Sequence, residues 1–251
     1  MPVITTDALV LRTYKLGEAS KLVVLLTRDR GKVRAVAKGA RGARPRYQSA
    51  LEPLSEVRAS LYGRQGAELY RLGACELVRS AFPASARRLE TSLLLSYLAE
   101  LLDAFAQEGE AEEKVYRLAQ AVIESAAGGA DERVLARYLE AWLLRLHGLY
   151  PPLDRCASCG RALPAGARRY HDAARGFVCD DCGPASGPVL SHGAWAFLEE
   201  AFRRPPADVT AGHSEEVEAL EPFHQGLIAS HLERNLRSQR VIRDVAREMP
   251  R

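Results

Sequence analysis

Two cysteine doublets, Cys156-Ala-Ser-Cys159 and Cys179-Asp-Asp-Cys182, with nineteen residues between them, constrain this chain more than any other feature. A two-residue gap lets both sulfurs of one turn converge on an ion, and the longer span lets a hairpin return the second pair. Four thiolates then complete a tetrahedral shell, the spacing of a zinc ribbon. No position remains for water, so Cys156, Cys159, Cys179 and Cys182 are expected to hold one structural Zn2+. Disulfides, the competing chemistry, need an oxidising compartment, and the opening Met1–Asp7 lacks the charged-then-apolar run of a secretory signal. Arg155, Arg161, Arg168, Arg169 and Arg175 flank the cysteines. They would offset the double negative charge of a four-thiolate zinc, or equally contact phosphate. His171 reads as a surface residue and Cys75, in the apolar stretch Leu72–Val78, as a small core residue.

No apolar run approaches the roughly 20 residues that cross a bilayer, so the chain is expected to be soluble and cytoplasmic, with no membrane partner. The formal charge of +3 hides an asymmetry. Residues 1–80 carry 15 basic and 7 acidic side chains, a balance of +8, and the remainder carries −5. That division points to a polyanion partner for the N-terminal part.

The same N-terminal part reads as strands at Ala8–Tyr14, Lys21–Thr27, Lys32–Lys38, Glu56–Tyr62 and Glu68–Leu72, with turns at Gly17 and Asp29-Arg30-Gly31. Five short strands in about 80 residues fit a small closed barrel of the OB type, a fold that binds single strands. Period-two alternation puts Lys32, Arg34 and Lys38 on one face of the third strand, and Val33, Ala35 and Ala37 on the other. The connection Gly39-Ala40-Arg41-Gly42-Ala43-Arg44-Pro45-Arg46-Tyr47 is basic and glycine-rich, fitted to grip phosphate, with Tyr47 as a stacking surface. No Gly-Lys-Ser/Thr follows it, so no nucleotide cofactor is expected.

Beyond residue 80 the pattern becomes helical. Leu89, Leu93, Leu94, Tyr97, Leu98, Leu101, Leu102 and Phe105 form one apolar stripe. Further helices are expected over Glu112–Ala126, from Asp131 to Leu146, over Ser191–Phe202 and around Glu215–Arg237. Arg234, Arg237, Arg240, Arg243 and Arg247 have helix-compatible spacing; they form either a second anionic contact or a solvated face with Glu233 and Asp244. No HExxH, nucleophile elbow or paired-carboxylate motif recommends a catalytic residue.

The order of these pieces resembles the bacterial RecO recombination-mediator family. The resemblance rests on Asp7-Ala8-Leu9-Val10-Leu11-Arg12, Gly17-Glu18-Ala19-Ser20, Ala37-Lys38-Gly39-Ala40-Arg41, the cysteine pairs and the tail from His231-Leu232 to Leu236-Arg237-Ser238. One departure is Arg175-Gly176, where members of the family commonly show two glycines. The resemblance implies an α+β multidomain protein: an OB-fold β-barrel (1–80), an α-helical domain (81–150 and 189–251) and an inserted four-cysteine zinc-binding module (151–188). It implies a nucleoid-associated, non-enzymatic mediator that helps load recombinase onto DNA coated with single-strand-binding protein and anneals complementary strands. The implied partners are single- and double-stranded DNA, RecR and the C-terminal tail of single-strand-binding protein. Lys32, Arg34, Lys38, Arg41, Arg44 and Arg46 are the expected phosphate contacts. An RNA-binding protein and an assembly scaffold without DNA affinity are the alternative readings.

Overall fold

The computed structural model describes residues 2–41, 47–86, 88–163, 168–183, 188–209, 214–233 and 236–248. They form two compact units, one comprising Met1–Gly128 with Leu236–Arg251 and the other Gly129–Asn235.

In the first unit β1 (Val3–Leu16), β2 (Ser20–Thr27), β3 (Gly31–Ala37), β4 (Glu56–Tyr62) and β5 (Tyr70–Arg79) close a barrel in the order β1-β2-β3-β5-β4. β1 is long enough to serve two neighbours: its first part pairs with β4, its last part with β2, and a bulge lies between Val10 and Arg12. The only parallel pairing among these strands, Ala35 with Tyr70 and Val36 with Arg71, joins β3 to β5. Following the register around the barrel leads from Val3 through Tyr62, Arg71, Val36 and Leu22 to Tyr14. The path returns to β1 eleven residues further along, one of them the bulge residue, giving a shear of about ten.

Alternation explains the core. Val10, Val23, Leu25, Val33, Ala35, Val57, Ala59, Leu61 and Leu72 point inward and are buried. The outward Leu9, Val24 and Leu26 are buried as well, because α2 (Leu89–Phe105) packs on β1 and β2. Strands read as continuous apolar runs when both faces are covered. β5 runs on to Arg79, past the expected stop at Leu72. Gly73 is no turn signal there, since a Cβ at that position would lie 2.1 Å from the Tyr62 ring.

α1 (Phe82–Ser85) and α3 (Glu113–Ala127) complete the run of helices after the barrel. α7 (Arg237–Glu248) returns to the same unit. Its N-terminus is held by the Glu100 carboxylate, 6% exposed, which accepts the amides of Arg237 at 3.1 Å and Ser238 at 2.7 Å and the Ser238 hydroxyl at 2.6 Å. A carboxylate satisfies the orphan amides of a first turn and meets the positive end of the helix dipole. Burial pushes the Glu100 pKa up, but these bonds and Arg12 outweigh it and hold it below the ordinary value.

The second unit contains α4 (Glu132–Leu146), α5 (His192–Ala201), α6 (Ser214–Leu232) and a small sheet of β6 (Arg168–His171), β7 (Gly176–Val178) and β8 (Val189–Leu190) in the order β7-β6-β8. Asp131 caps α4 by accepting the amides of Arg133 and Val134. The helix expected over Glu215–Arg237 is broken: α6 stops at Leu232 and Glu233 takes φ 53°. The half-buried Tyr150 and the buried His224, Glu140 and Arg137 form a chain. The Tyr150 hydroxyl lies 3.0 Å from His224 Nε2, His224 Nδ1 2.9 Å from Glu140, and Arg137 donates to Glu140 at 2.7 Å. Desolvation lowers the His224 pKa against the opposing pull of Glu140.

Candidate metal centre and nucleic-acid interface

Both cysteine doublets form tight turns in the second unit. In the first, the Gly160 amide donates to the Cys156 carbonyl at 2.9 Å, with Gly160 at φ 72°. In the second, the amides of Cys182 and Gly183 both donate to the Cys179 carbonyl at 3.0 Å. The turns are tied together where the Ala157 amide donates to the Phe177 carbonyl at 2.8 Å. Gly176 is required there, since a Cβ would sit 2.6 Å from that of Ala157. Arg175, one residue earlier, adopts φ 48°, a left-handed conformation that glycine takes without strain.

The four sulfurs lie within 4.8 Å of one another, Cys159 and Cys179 at 3.8 Å. A tetrahedral shell holding sulfur at about 2.3 Å has an edge of about 3.8 Å, whereas a disulfide needs about 2.05 Å. The donor set therefore fits a metal ion. The Cys179 amide, 3.4 Å from Cys156 Sγ, is the first cause of a Cys156 pKa lowered to about 6, and hydrogen bonding to Cys179 leads the rise of Cys182 to about 12. The cluster thus favours the Cys156 thiolate and opposes that of Cys182, an opposition that a bound cation would relieve. Arg161 pairs with Asp181 at 2.6 Å and feels the charge of Cys179 and Cys159. Arg168 is buried with its guanidinium 4.9 Å over Trp195, and Arg155 pairs with Asp154 at 3.3 Å.

The cations of the barrel unit have different fates. Lys32 Nζ donates to the Asp103 carbonyl at 2.6 Å and lies 3.7 Å from the Asp103 carboxylate, with 13% of its side chain exposed. The backbone around it is also used: the Lys32 amide donates to the Gln107 carbonyl, and the Gly109 amide to that of Lys32. Arg34 is half exposed and pairs with Glu108 at 2.7 Å. Their strand face therefore meets the acids at and after the end of α2. Lys38 is exposed and has no acidic partner among the described residues. Arg41 donates from its amide to the Ala19 carbonyl and from its guanidinium to the Gly17 carbonyl, both at 3.0 Å. This draws the Lys38–Arg41 turn onto the β1–β2 hairpin, where Lys15 faces Lys21. These two lysines also lack an acidic partner among the described residues. Arg44 and Arg46 lie outside the described residues.

Tyr47 is not a stacking surface. It is 5% exposed in the barrel core, and its hydroxyl donates to the Leu72 carbonyl at 2.9 Å. Cys75 packs partly against that core, and burial pushes its thiol up to about 11. Of the C-terminal arginines, Arg240 pairs with Asp244 one turn on. Spacing alone did not reveal Glu100 as an anchor for α7, because its partners lie 137 and 138 residues away.

A closed five-stranded barrel followed by helices, with cations gathered at one hairpin and a four-thiol cluster, defines a class of barrel-and-helix protein with a metal-compatible site. Comparison with known proteins names it. Residues 1–81 match the family described as Recombination protein O N terminal, and residues 86–240 match Recombination protein O C terminal. The chain is 33% identical over 233 residues to the DNA repair protein RecO of Koribacter versatilis, covering 92% of this chain and 94% of that one. It is 31% identical over 240 residues to that of Geobacter metallireducens, covering 96% and 97%. Against that of Pelotomaculum thermopropionicum it is 35% identical over 211 residues, covering 83% and 80%. This chain belongs to the RecO family of DNA repair proteins. Among the described residues, no helix is long and apolar enough to cross a membrane.

Proposed function

We propose that this chain is a non-enzymatic recombination mediator of the bacterial cytoplasm that binds single- and double-stranded DNA, anneals complementary strands and, with RecR, helps load recombinase onto DNA coated with single-strand-binding protein, whose C-terminal tail it engages. The observation that carries this reading is the group of Lys15, Lys21 and Lys38 gathered at the β1–β2 hairpin without acidic partners among the described residues, with Arg41 fastened beside them. The strand order and the shear of about ten support an OB fold for residues 1–80. The convergence of Cys156, Cys159, Cys179 and Cys182 supports one structural Zn2+ bracing residues 151–188.

Cations on phosphates carry no base code, so they bind with little sequence preference and lower the mutual repulsion of two strands. With Lys32 held by Asp103, the expected phosphate contacts Arg34, Lys38, Arg41, Arg44 and Arg46 are joined by Lys15 and Lys21. About five phosphates engaged at once give a slope of log K against log salt of about −3.5 for single strands. Two complementary oligonucleotides, labelled for energy transfer and precoated with single-strand-binding protein, should pair rapidly without ATP only when the protein is added. No acceleration despite intact single-strand binding would leave a binding module and favour the RNA or scaffold readings.

A further inference from the structure

We infer that Tyr14, at the end of β1, is a base-stacking platform that gives this protein a preference for single-stranded over duplex DNA; the inference rests on the DNA-binding reading above. The register sets three adjacent rows on the outer face of β1–β2–β3. Arg12, Val24 and Arg34 form one row. Tyr14, Leu22, Val36 and Arg71 form the next. Beyond them, Leu16 pairs with Ser20, and Lys38 follows directly on β3. Tyr14 is 47% exposed and Leu16 41% exposed, while Leu22 and Val36 are half-buried beside them. An aromatic ring thus lies open on a sheet face, one residue before Lys15 at the hairpin where Lys15, Lys21 and Lys38 gather, while Arg34, two strands across, is paired with Glu108.

The occupant follows from that chemistry. A flat apolar ring beside the hairpin lysines suits an unpaired base whose phosphate those lysines take. Duplex DNA keeps its base faces covered by stacking and offers the ring nothing. The ring carries no charge, so its removal leaves the counterion term unaltered. Tyr47, the aromatic of the basic loop, is spent in the core and cannot serve.

The test compares full-length wild type, Tyr14→Ala, Tyr14→Leu and Tyr14→Trp by anisotropy, with a thymine oligonucleotide and a duplex of equal length. Tyr14→Ala should weaken single-strand binding by about fivefold or more and leave duplex binding within about twofold, with the salt slope unchanged. Tyr14→Leu keeps the apolar cover on Leu22, so it should melt like wild type and show the same loss, while Tyr14→Trp should restore affinity. Unchanged single-strand affinity in Tyr14→Leu, or equal losses on single strand and duplex, would overturn the stacking role and leave the DNA reading standing. Absence of DNA binding by the wild type would overturn both.

Discussion

Lys32 and Lys38 stand on the same outer face of one strand and its continuation, yet one is held by Asp103 and the other is exposed. The Lys32 ammonium makes a charge-assisted bond to the Asp103 carbonyl in a largely buried setting, so Lys32→Ala is expected to cost about 1–2 kcal/mol of stability with DNA affinity unchanged. Lys38→Ala should do the reverse, with no change in urea midpoint and a salt slope shallower by about 0.7. Equal effects of the two on DNA binding would contradict this division. Period-two alternation predicted which residues share the face. It could not predict what the face meets, because Asp103 is 71 residues away. Arg175 offers a second test at this scale. Its φ of 48° costs a side-chain-bearing residue about 1 kcal/mol, so Arg175→Gly should raise the urea midpoint by the equivalent of about 0.5–1 kcal/mol, and Arg175→Ala should not.

At the scale of elements, the cysteine turns were the most legible part of the chain, since ligand chemistry and short spacing are local properties. The strands were legible for the same reason, but their ends were not: β5 passes through Gly73 because an aromatic ring from β4 covers it. The cysteine module should hold one zinc per chain by elemental analysis. Cys156→Ser should release it and lower Tm by roughly 5–10 °C; a variant that melts like wild type would mean the metal braces nothing. The seat of α7 is a different case, since it rests on Glu100 alone of the described carboxylates bonded to its first turn. Because the folded pKa of Glu100 is depressed, its contribution is present above the unfolded carboxylate value of about 4.3 and is lost as pH falls through the folded value. Glu100→Gln should therefore be less stable than wild type by about 1–3 kcal/mol at pH 7, with the gap closing in acid. A gap that persists unchanged at low pH would show that charge is not what seats the helix.

For the whole molecule, the sign asymmetry of the sequence points polyanion binding to residues 1–80, though one expected cation is consumed internally. Reversing Lys38, Arg41 and Arg44 to glutamate should abolish DNA binding and annealing while far-ultraviolet dichroism stays that of the wild type, since Lys38 and Arg41 are exposed. Loss of the dichroism spectrum would instead make the hairpin contacts of Arg41 essential to the fold. Nothing in the spacing of residues 237–248 signals that they belong with residues 1–128, and this membership has a consequence in time. About a hundred residues separate Gly128 from Leu236, which a ribosome needs roughly 5–20 s to add. Throughout that interval the nascent barrel and its first helices carry Glu100 with no amides to accept. The earliest-made part of the protein is thus among the last to be finished, and a message cut short before Leu236 would leave the Glu100 carboxylate without the amides of Arg237 and Ser238.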